Sequence, residues 1–350
     1  MKLKFIIGSA GTGKTSLLIK SINQNCVVLA YTHSAVNNIK EKIESLKESI
    51  KPKKISTIHK YFQIDFSNKI HKVRDFTNYI FIDEFSLIPL ELFNKICDIL
   101  QNINVTVVCF GDILQLGPVE LNERVINYEL LKKSLNGEVY DYIMKRFICN
   151  SSVDYLNLFY HLSTTLFVSK YFKQADKLIL NKCYRYNDEI LQLTSKPLNE
   201  LKTISLNESL SKLNEFIQNK TSFVVLSSKY KYLKIVGSRI NRHTHNIKCG
   251  SVDFGDSVIL QSTIDKNFYN GDTVKYIDSN TIQNNDGEIL TQENLTQELM
   301  PIWLSSIHKS QGREWDNVII IINDMFSYGM IYTAITRAKK QVIFIDLNLN

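Results

Sequence analysis

No stretch of this 350-residue chain approaches the roughly 18 uninterrupted apolar residues that a membrane-spanning helix needs. No membrane partner is therefore expected. The six cysteines, at 26, 97, 109, 149, 183 and 249, include no CxxC pair. That spacing argues against a zinc site or a disulfide framework and for reduced thiols in a cytosol or nucleus. There is no long low-complexity tract. With 44% hydrophobic residues the chain can bury real cores, so disorder is not expected. The first residues lack the longer apolar region and cleavage site of a secretory leader. Leu3, Phe5, Ile6 and Ile7 read instead as a strand running into a loop. A soluble cytoplasmic or nuclear protein is expected, not a secreted one. No internal repeat occurs at a solenoid period.

The length suits two domains. Lys plus Arg number 42 against 35 acidic residues, a net charge of +7. That surplus is compatible with a polyanionic partner without identifying one. Short apolar runs alternate with polar helical stretches through residues 1–120: strands at 3–7, 26–30, 79–82 and 105–110, helices at 14–23, 34–48 and 90–101. This alternation predicts a parallel sheet with crossover helices. The segment 61–78 is short, and Ser67-Asn68 can turn a small hairpin in it. Residues 121–178 read as a helical connecting segment. A second α/β domain is expected over 179–250 and 301–350, with strands near 222–226, 317–322 and 341–346. The Gly- and Asn-rich stretch 251–300 reads as a small β-rich insertion.

Three segments carry chemistry on their own. Gly8-Ser9-Ala10-Gly11-Thr12-Gly13-Lys14-Thr15 fits a phosphate loop between a strand and a helix. Glycines let backbone N–H groups wrap phosphates, Lys14 reaches the β and γ oxygens, and the Thr15 hydroxyl ligates Mg²⁺. The apolar strand Tyr79-Ile80-Phe81-Ile82 ends in Asp83-Glu84. Alone, such a pair is usually a solvated strand end. Downstream of a phosphate loop it reads as a Mg²⁺ ligand, Asp83, beside a residue that polarises the attacking water, Glu84. The third segment, Gly111-Asp112-Ile113-Leu114-Gln115-Leu116-Gly117-Pro118-Val119, again follows a strand.

That third segment resembles the GDxxQLxPV motif of superfamily 1 helicases, and the remaining motifs of that family appear in order. Ala30-Tyr31-Thr32-His33-Ser34-Ala35 and Ser56-Thr57-Ile58-His59-Lys60 resemble two strand-contacting motifs. Cys183-Tyr184-Arg185 resembles the motif whose arginine faces the γ-phosphate. Ile307-His308-Lys309-Ser310-Gln311-Gly312-Arg313-Glu314 and Tyr332-Thr333-Ala334-Ile335-Thr336-Arg337-Ala338 resemble the last two. The resemblance spans residues 5–346. It implies two RecA-like parallel-sheet motor domains, the second with an SH3-like β insertion. It implies ATP and Mg²⁺ in the cleft between them, Gln115 as γ-phosphate sensor, and Arg185 and Arg337 supplied from the second domain. Gly312 and Glu314 are expected at the nucleotide, and Thr32, His33, Thr57, His59, His308 and Lys309 at the nucleic acid.

Within that family, Thr57-Ile58-His59, the HKSQG run and Asn270-Gly271-Asp272 resemble the RecD/Dda-like branch, which moves 5′ to 3′ along single strands. Ser34-Ala35-Val36-Asn37, Gln311-Gly312-Arg313-Glu314 and Ala334-Ile335-Thr336-Arg337 resemble viral RNA helicases instead. Single-stranded DNA and RNA both remain candidate partners, within a possible replication or recombination complex. A nucleic-acid-stimulated ATPase switch that remodels a complex without unwinding is the rival activity. Many members read adenine through a glutamine upstream of the phosphate loop. Only seven residues precede Gly8, so that contact is not expected from there. His33 and His59 by themselves would suit structural or capping positions. The aromatics Tyr155, Phe159, Tyr160, Phe167, Tyr171 and Phe172 have the spacing of a helical core. Trp303 and Trp315 read as packing, and the Lys51–Lys54 cluster as solvated surface.

Overall fold

The computed structural model describes residues 1–45, 51–65, 69–71, 77–118, 137–144, 169–185, 188–194, 196, 200–219, 221–243, 257–260, 264–265, 267–268, 273–284, 286–293, 295, 299–301, 303–323 and 327–349. These form two compact units, Met1–Pro197 with Ser327–Thr333, and Leu198–Phe326 with Ala334–Asn350.

The first unit is a six-stranded sheet of β1 (Lys2–Gly8), β2 (Cys26–Ala30), β3 (Lys54–Thr57), β4 (Tyr79–Asp83), β5 (Thr106–Gly111) and β6 (Asp176–Leu180). Its order is β3-β2-β4-β5-β1-β6, and every neighbouring pair is parallel. Parallel strands covered on both faces need no polar face, so runs such as Cys26–Ala30 are buried at every position. Side chains still alternate. Phe5, Ile7, Val27, Leu29, Ile80, Ile82, Val107 and Cys109 join one core. Ile6, Val28, Ala30, Phe81, Val108 and Phe110 join the other. The helices α1 (Lys14–Lys20) and α2 (His33–Ser45) cover the second face through Leu18, Ile19, Val36 and Ile39. The short α3 (Ile58–Phe62) and α4 (Leu90–Leu100) cover the first through Phe62, Phe93 and Ile96. Tyr171 and Phe172 bury in that first core, as the aromatic spacing suggested, while residues 155–167 lie outside the described residues. An antiparallel bridge joins Ile64 and Ile70, although Ser67-Asn68 lies outside the described residues.

One boundary differs from the sequence expectation. Residues 176–180, expected to end the helical connection and open the second domain, form β6 and pair with β1 in the first sheet. The run Lys177-Leu178-Ile179-Leu180 identifies a strand but not which sheet receives it. Register with Lys4–Gly8 decides that, and it is a tertiary property.

The second unit holds β7 (Thr203–Ile204), β8 (Phe223–Ser227), β14 (Leu304–Ser306), β15 (Trp315–Ile321) and β16 (Ala338–Ile345), ordered β14-β8-β15-β16-β7 and all parallel. Its core packs Val225, Ile319, Ile321, Ile343 and Ile345 against Leu210, Leu213 and Phe216 of one helix and Leu233 and Val236 of another. Trp303 packs at the margin of that core. Between β8 and β14 in sequence lies a separate antiparallel sheet of β9 (Ser257–Leu260), β10 (Thr273–Asp278), β11 (Thr281–Gln283), β12 (Ile289–Thr291) and β13 (Leu299–Pro301). It has its own core of Leu260, Phe268, Val274, Tyr276, Ile282, Leu295 and Leu299. It lies in the stretch that the sequence marks as β-rich. Asn270-Gly271-Asp272 lies outside the described residues.

Candidate nucleotide and strand site

Because all strands of the first sheet run the same way, their carboxyl ends share one edge. Parallel α/β sheets bind ligands at that edge. Five expected segments gather there: the phosphate loop after β1, Thr32-His33 after β2, Thr57-Ile58-His59 at the end of β3, Asp83-Glu84 at the end of β4, and Gly111–Gly117 after β5.

The loop Gly8–Thr15 is tightly wound. Gly11 and Gly13 take positive φ of 79° and 83°, the left-handed region that side chains avoid. A Cβ at Gly8 would collide with Thr12 Oγ1. Ser9, Ala10 and Thr12 are buried, and Thr15 is half-buried. Lys14 Nζ donates to the carbonyls of Gly8 and Ser9, both at 2.8 Å. Part of Lys14 stays open to solvent, yet protein crowds its ammonium. Lost hydration is the main cause holding its pKa below the ordinary lysine value; Asp112 and Asp83 oppose this, Arg185 reinforces it, and Glu84 opposes it again.

Asp83 is buried, and burial pushes its pKa up; the Glu84 amide, at 3.0 Å from Oδ1, and then Lys14 and Lys42 pull the other way. A carboxylate whose lost hydration is only partly replaced favours a cation beside it. Glu84 has φ 52° and ψ 48°, a left-handed conformation at a non-glycine residue. Such backbone costs about 1–3 kcal/mol and persists where surrounding structure imposes it. Here the imposing element is the 3₁₀ turn Phe85–Leu87, closed by Leu87 N–H donating to Glu84 O at 3.0 Å.

In the turn after β5, Asp112 is 1% exposed. Its Oδ1 accepts from Leu114 N–H at 3.1 Å. Its Oδ2 accepts from Gln115 Nε2 at 3.4 Å and from Tyr332 O–H at 2.9 Å. Leu116 N–H donates to Thr333 Oγ1 at 2.8 Å. The sequence points to Gln115 but not to Asp112, Tyr332 or Thr333. The partners lie 217 and 220 positions apart, and only their shared membership of motifs hinted at proximity.

Arg185 corrects an expectation. The sequence places it in the second domain, but its segment continues from β6 and belongs to the first unit. Tyr184 N–H donates to Gly11 O at 2.9 Å, and Cys183 Sγ–H lies 3.6 Å from Ala10 O. The ring of Tyr184 is 72% exposed beside the loop, with Lys182 Nζ 5.1 Å from its centre. Nothing in the sequence marks that ring.

Of the expected strand contacts, Thr32 and Thr57 serve as caps. Their hydroxyls accept from Ala35 N–H at 3.2 Å and Lys60 N–H at 3.3 Å. Ala30 and Thr57 are register partners, so the two motifs stand side by side. The His59 ring sits 5.3 Å from that of Tyr31. His33 lies in a cationic neighbourhood: burial lowers its pKa, and Lys60, Lys40 and His59 lower it further.

In the second unit, Ile307–Gly312 turns away from the end of β14. His308 is half-buried, with its pKa lowered by burial, and Lys309 N–H donates to Ser306 Oγ at 3.3 Å. Gly312 takes φ 79°. Arg337 is 4% exposed at the amino edge of β16. It donates to Thr336 Oγ1 at 3.2 Å and Arg313 O at 3.5 Å. Glu314 pairs with Lys339 at 4.0 Å.

Comparisons with known proteins agree with this arrangement. Residues 1–120 match the family described as an AAA domain, and 301–345 match the UvrD-like helicase C-terminal domain. The RecD subunit of the RecBCD enzyme from Buchnera aphidicola (subsp. Acyrthosiphon pisum) is 22% identical over 444 aligned positions, covering 97% of this chain and 69% of that protein. Human PIF1, an ATP-dependent DNA helicase, is 38% identical over 66 residues, 19% of this chain and 10% of that protein. Among solved structures, Bacteroides Pif1 with ADP-AlF3 and ssDNA has a TM-score of 0.59 at 19% identity, covering 98% of this chain and 88% of that one. Pif1 from Candida albicans has a TM-score of 0.54 at 17% identity, covering 100% and 91%. The ordered motifs, the two parallel sheets and these matches together support a likeness to the superfamily 1 helicases of the RecD/Pif1 type.

Proposed function

We propose that this chain is an ATP-dependent DNA helicase that moves 5′ to 3′ along a single strand. The observation that carries the reading is the convergence of charge on Lys14. Asp83, Glu84, Asp112 and Arg185, from three different strand ends, all act on its ammonium. That is the charge balance a phosphoryl-transfer site needs, with cations for the phosphates and carboxylates for metal and water. The names of the RecD and PIF1 relatives support DNA as the strand and an assembly such as RecBCD as the context.

In this reading Lys14 and the loop amides bind the β and γ phosphates. Thr15 and Asp83 would hold Mg²⁺, which when bound neutralises charge on the phosphate oxygens. One hydroxyl and one carboxylate match the habit of Mg²⁺, which keeps waters and leans on substrate phosphates. Among the described residues no cluster of three or more His, Cys, Asp or Glu offers a fuller cage. Glu84 orients the attacking water and accepts its proton. Gln115 senses the γ-phosphate. Arg185, from beside the loop, and Arg337 stabilise charge on the transferred group, with Gly312 and Glu314 near the nucleotide. The exposed Tyr184 ring offers a face for a base to stack on. Thr32, His33, Thr57, His59, His308 and Lys309 serve the strand. Binding through phosphates is expected to be sequence-tolerant and salt-sensitive.

The test is ATP turnover with single-stranded DNA, single-stranded RNA or neither, followed by strand displacement on duplexes with a 5′ or a 3′ tail. Stimulation by DNA and unwinding from a 5′ tail are expected. Turnover without displacement would favour the remodelling switch, and unwinding from 3′ tails alone would reverse the direction.

A further inference from the structure

Tyr332 is 2% exposed and lies in the first unit's core, although the chain reaches it only after the whole of the second unit's β insertion. Its hydroxyl donates to the same carboxylate oxygen of Asp112 as the Gln115 amide. The two bonds are unequal: 2.9 Å for the hydroxyl and 3.4 Å for the amide. Thr333, the next residue, holds the backbone of the same turn through Leu116 N–H at 2.8 Å.

From this we infer that Tyr332 and Thr333 are positioning residues for Gln115. The proposal rests on the reading above of Gln115 as the residue that answers the γ-phosphate. A buried carboxylate satisfies its lone pairs with whatever donors are in reach. With the tyrosine hydroxyl on Oδ2, the Gln115 amide is held at the margin of hydrogen-bond distance and stays free to turn to another acceptor. Without that hydroxyl, Oδ2 falls to Gln115 alone, and the amide is drawn back onto Asp112. Leu116 N–H, pinned by Thr333, fixes the backbone from which Gln115 projects. The motif beginning at Tyr332 thus reaches the sensor turn through side chains, five positions before Arg337 in the sequence. The competing view is that the hydroxyl merely satisfies a buried polar group and supports the fold.

Epistasis separates the two. ATP turnover of the full chain is measured with a thymidine oligonucleotide for Tyr332→Phe, Gln115→Ala and the double variant, alongside thermal unfolding. Positioning predicts that Tyr332→Phe lowers kcat roughly tenfold while KM for ATP stays within about twofold. The double variant should then be no slower than Gln115→Ala alone, because the hydroxyl acts only through that side chain. Should Tyr332→Phe fail to fold, the pair Thr333→Val and Thr333→Ser carries the test: the valine variant should lose turnover and the serine variant retain it. Wild-type turnover in Tyr332→Phe, or in Thr333→Val where that pair is needed, or losses that multiply in the double variant, would overturn this proposal alone. A wild-type chain that hydrolyses no ATP would overturn the helicase reading and this proposal with it.

Discussion

The Gly8–Thr15 loop and the Gly111–Gly117 turn stand at the ends of adjacent strands, yet they differ in what shapes them. Gly8–Thr15 is held mostly from within: its lysine is held by carbonyls five and six residues away and Gly11 and Gly13 set its turn, while Tyr184 and Cys183 reach only its outer carbonyls. Gly111–Gly117 takes its shape from elsewhere. Phe85 walls Gly111, Tyr332 shares Asp112, and Thr333 anchors Leu116. A local device answers to its own sequence. A turn tied to distant side chains can report on the segments that supply them, which suits a sensor better than a binder.

The largest expected effect lies in the Gly8–Thr15 loop. Lys14→Ala should abolish ATP turnover and leave the unfolding midpoint nearly unchanged, since Lys14 serves the loop and not a core. Normal turnover in a folded Lys14→Ala protein would remove the loop from the chemistry. Glu84→Gln should retain nucleotide binding and lose hydrolysis about 10²–10⁴-fold, the range of general base catalysis. Single-turnover kinetics beside a nucleotide titration measure both.

The arginines come next. Arg337→Ala should lower kcat by about 10³ if it acts as an arginine finger, with nucleotide affinity barely altered. Arg185 adjoins the phosphate loop within the first unit, so Arg185→Ala should weaken nucleotide binding as well as turnover. Equal kinetic profiles for the two variants would erase that distinction.

Gly111→Ala tests how the sensor turn depends on its surroundings. The new Cβ would lie 2.6 Å from the Phe85 ring, which is 2% exposed and packed edge-on to Phe5. Overpacking of this kind costs about 1–3 kcal/mol. The unfolding midpoint should fall, and turnover with it.

The smallest expected effect is a pH dependence. The folded chain holds His33 below its ordinary value of 6.5. Below about pH 6.5 the unfolded chain therefore binds more protons than the folded one. Stability should be lost as pH falls from 6.5 toward the lowered pKa, and His33→Gln should flatten that slope. Denaturant midpoints at two pH values check it. An unchanged slope would mean that burial and the cations Lys60, Lys40 and His59 do not lower the His33 pKa.

The sequence by itself determined the phosphate loop, the Asp83-Glu84 pair, the strands that carry them and the existence of a β-rich insertion. Each of these is set by neighbouring residues: apolar runs that must be buried, glycines that permit left-handed backbone, carboxylates at a strand end. Tertiary structure alone decided that residues 176–180 close the first sheet, which moved Arg185 to the phosphate loop's own unit. It alone seated Tyr332 on Asp112. Strand pairing and side-chain hydrogen bonds across 173 to 220 positions depend on which surfaces meet, and no local pattern encodes that.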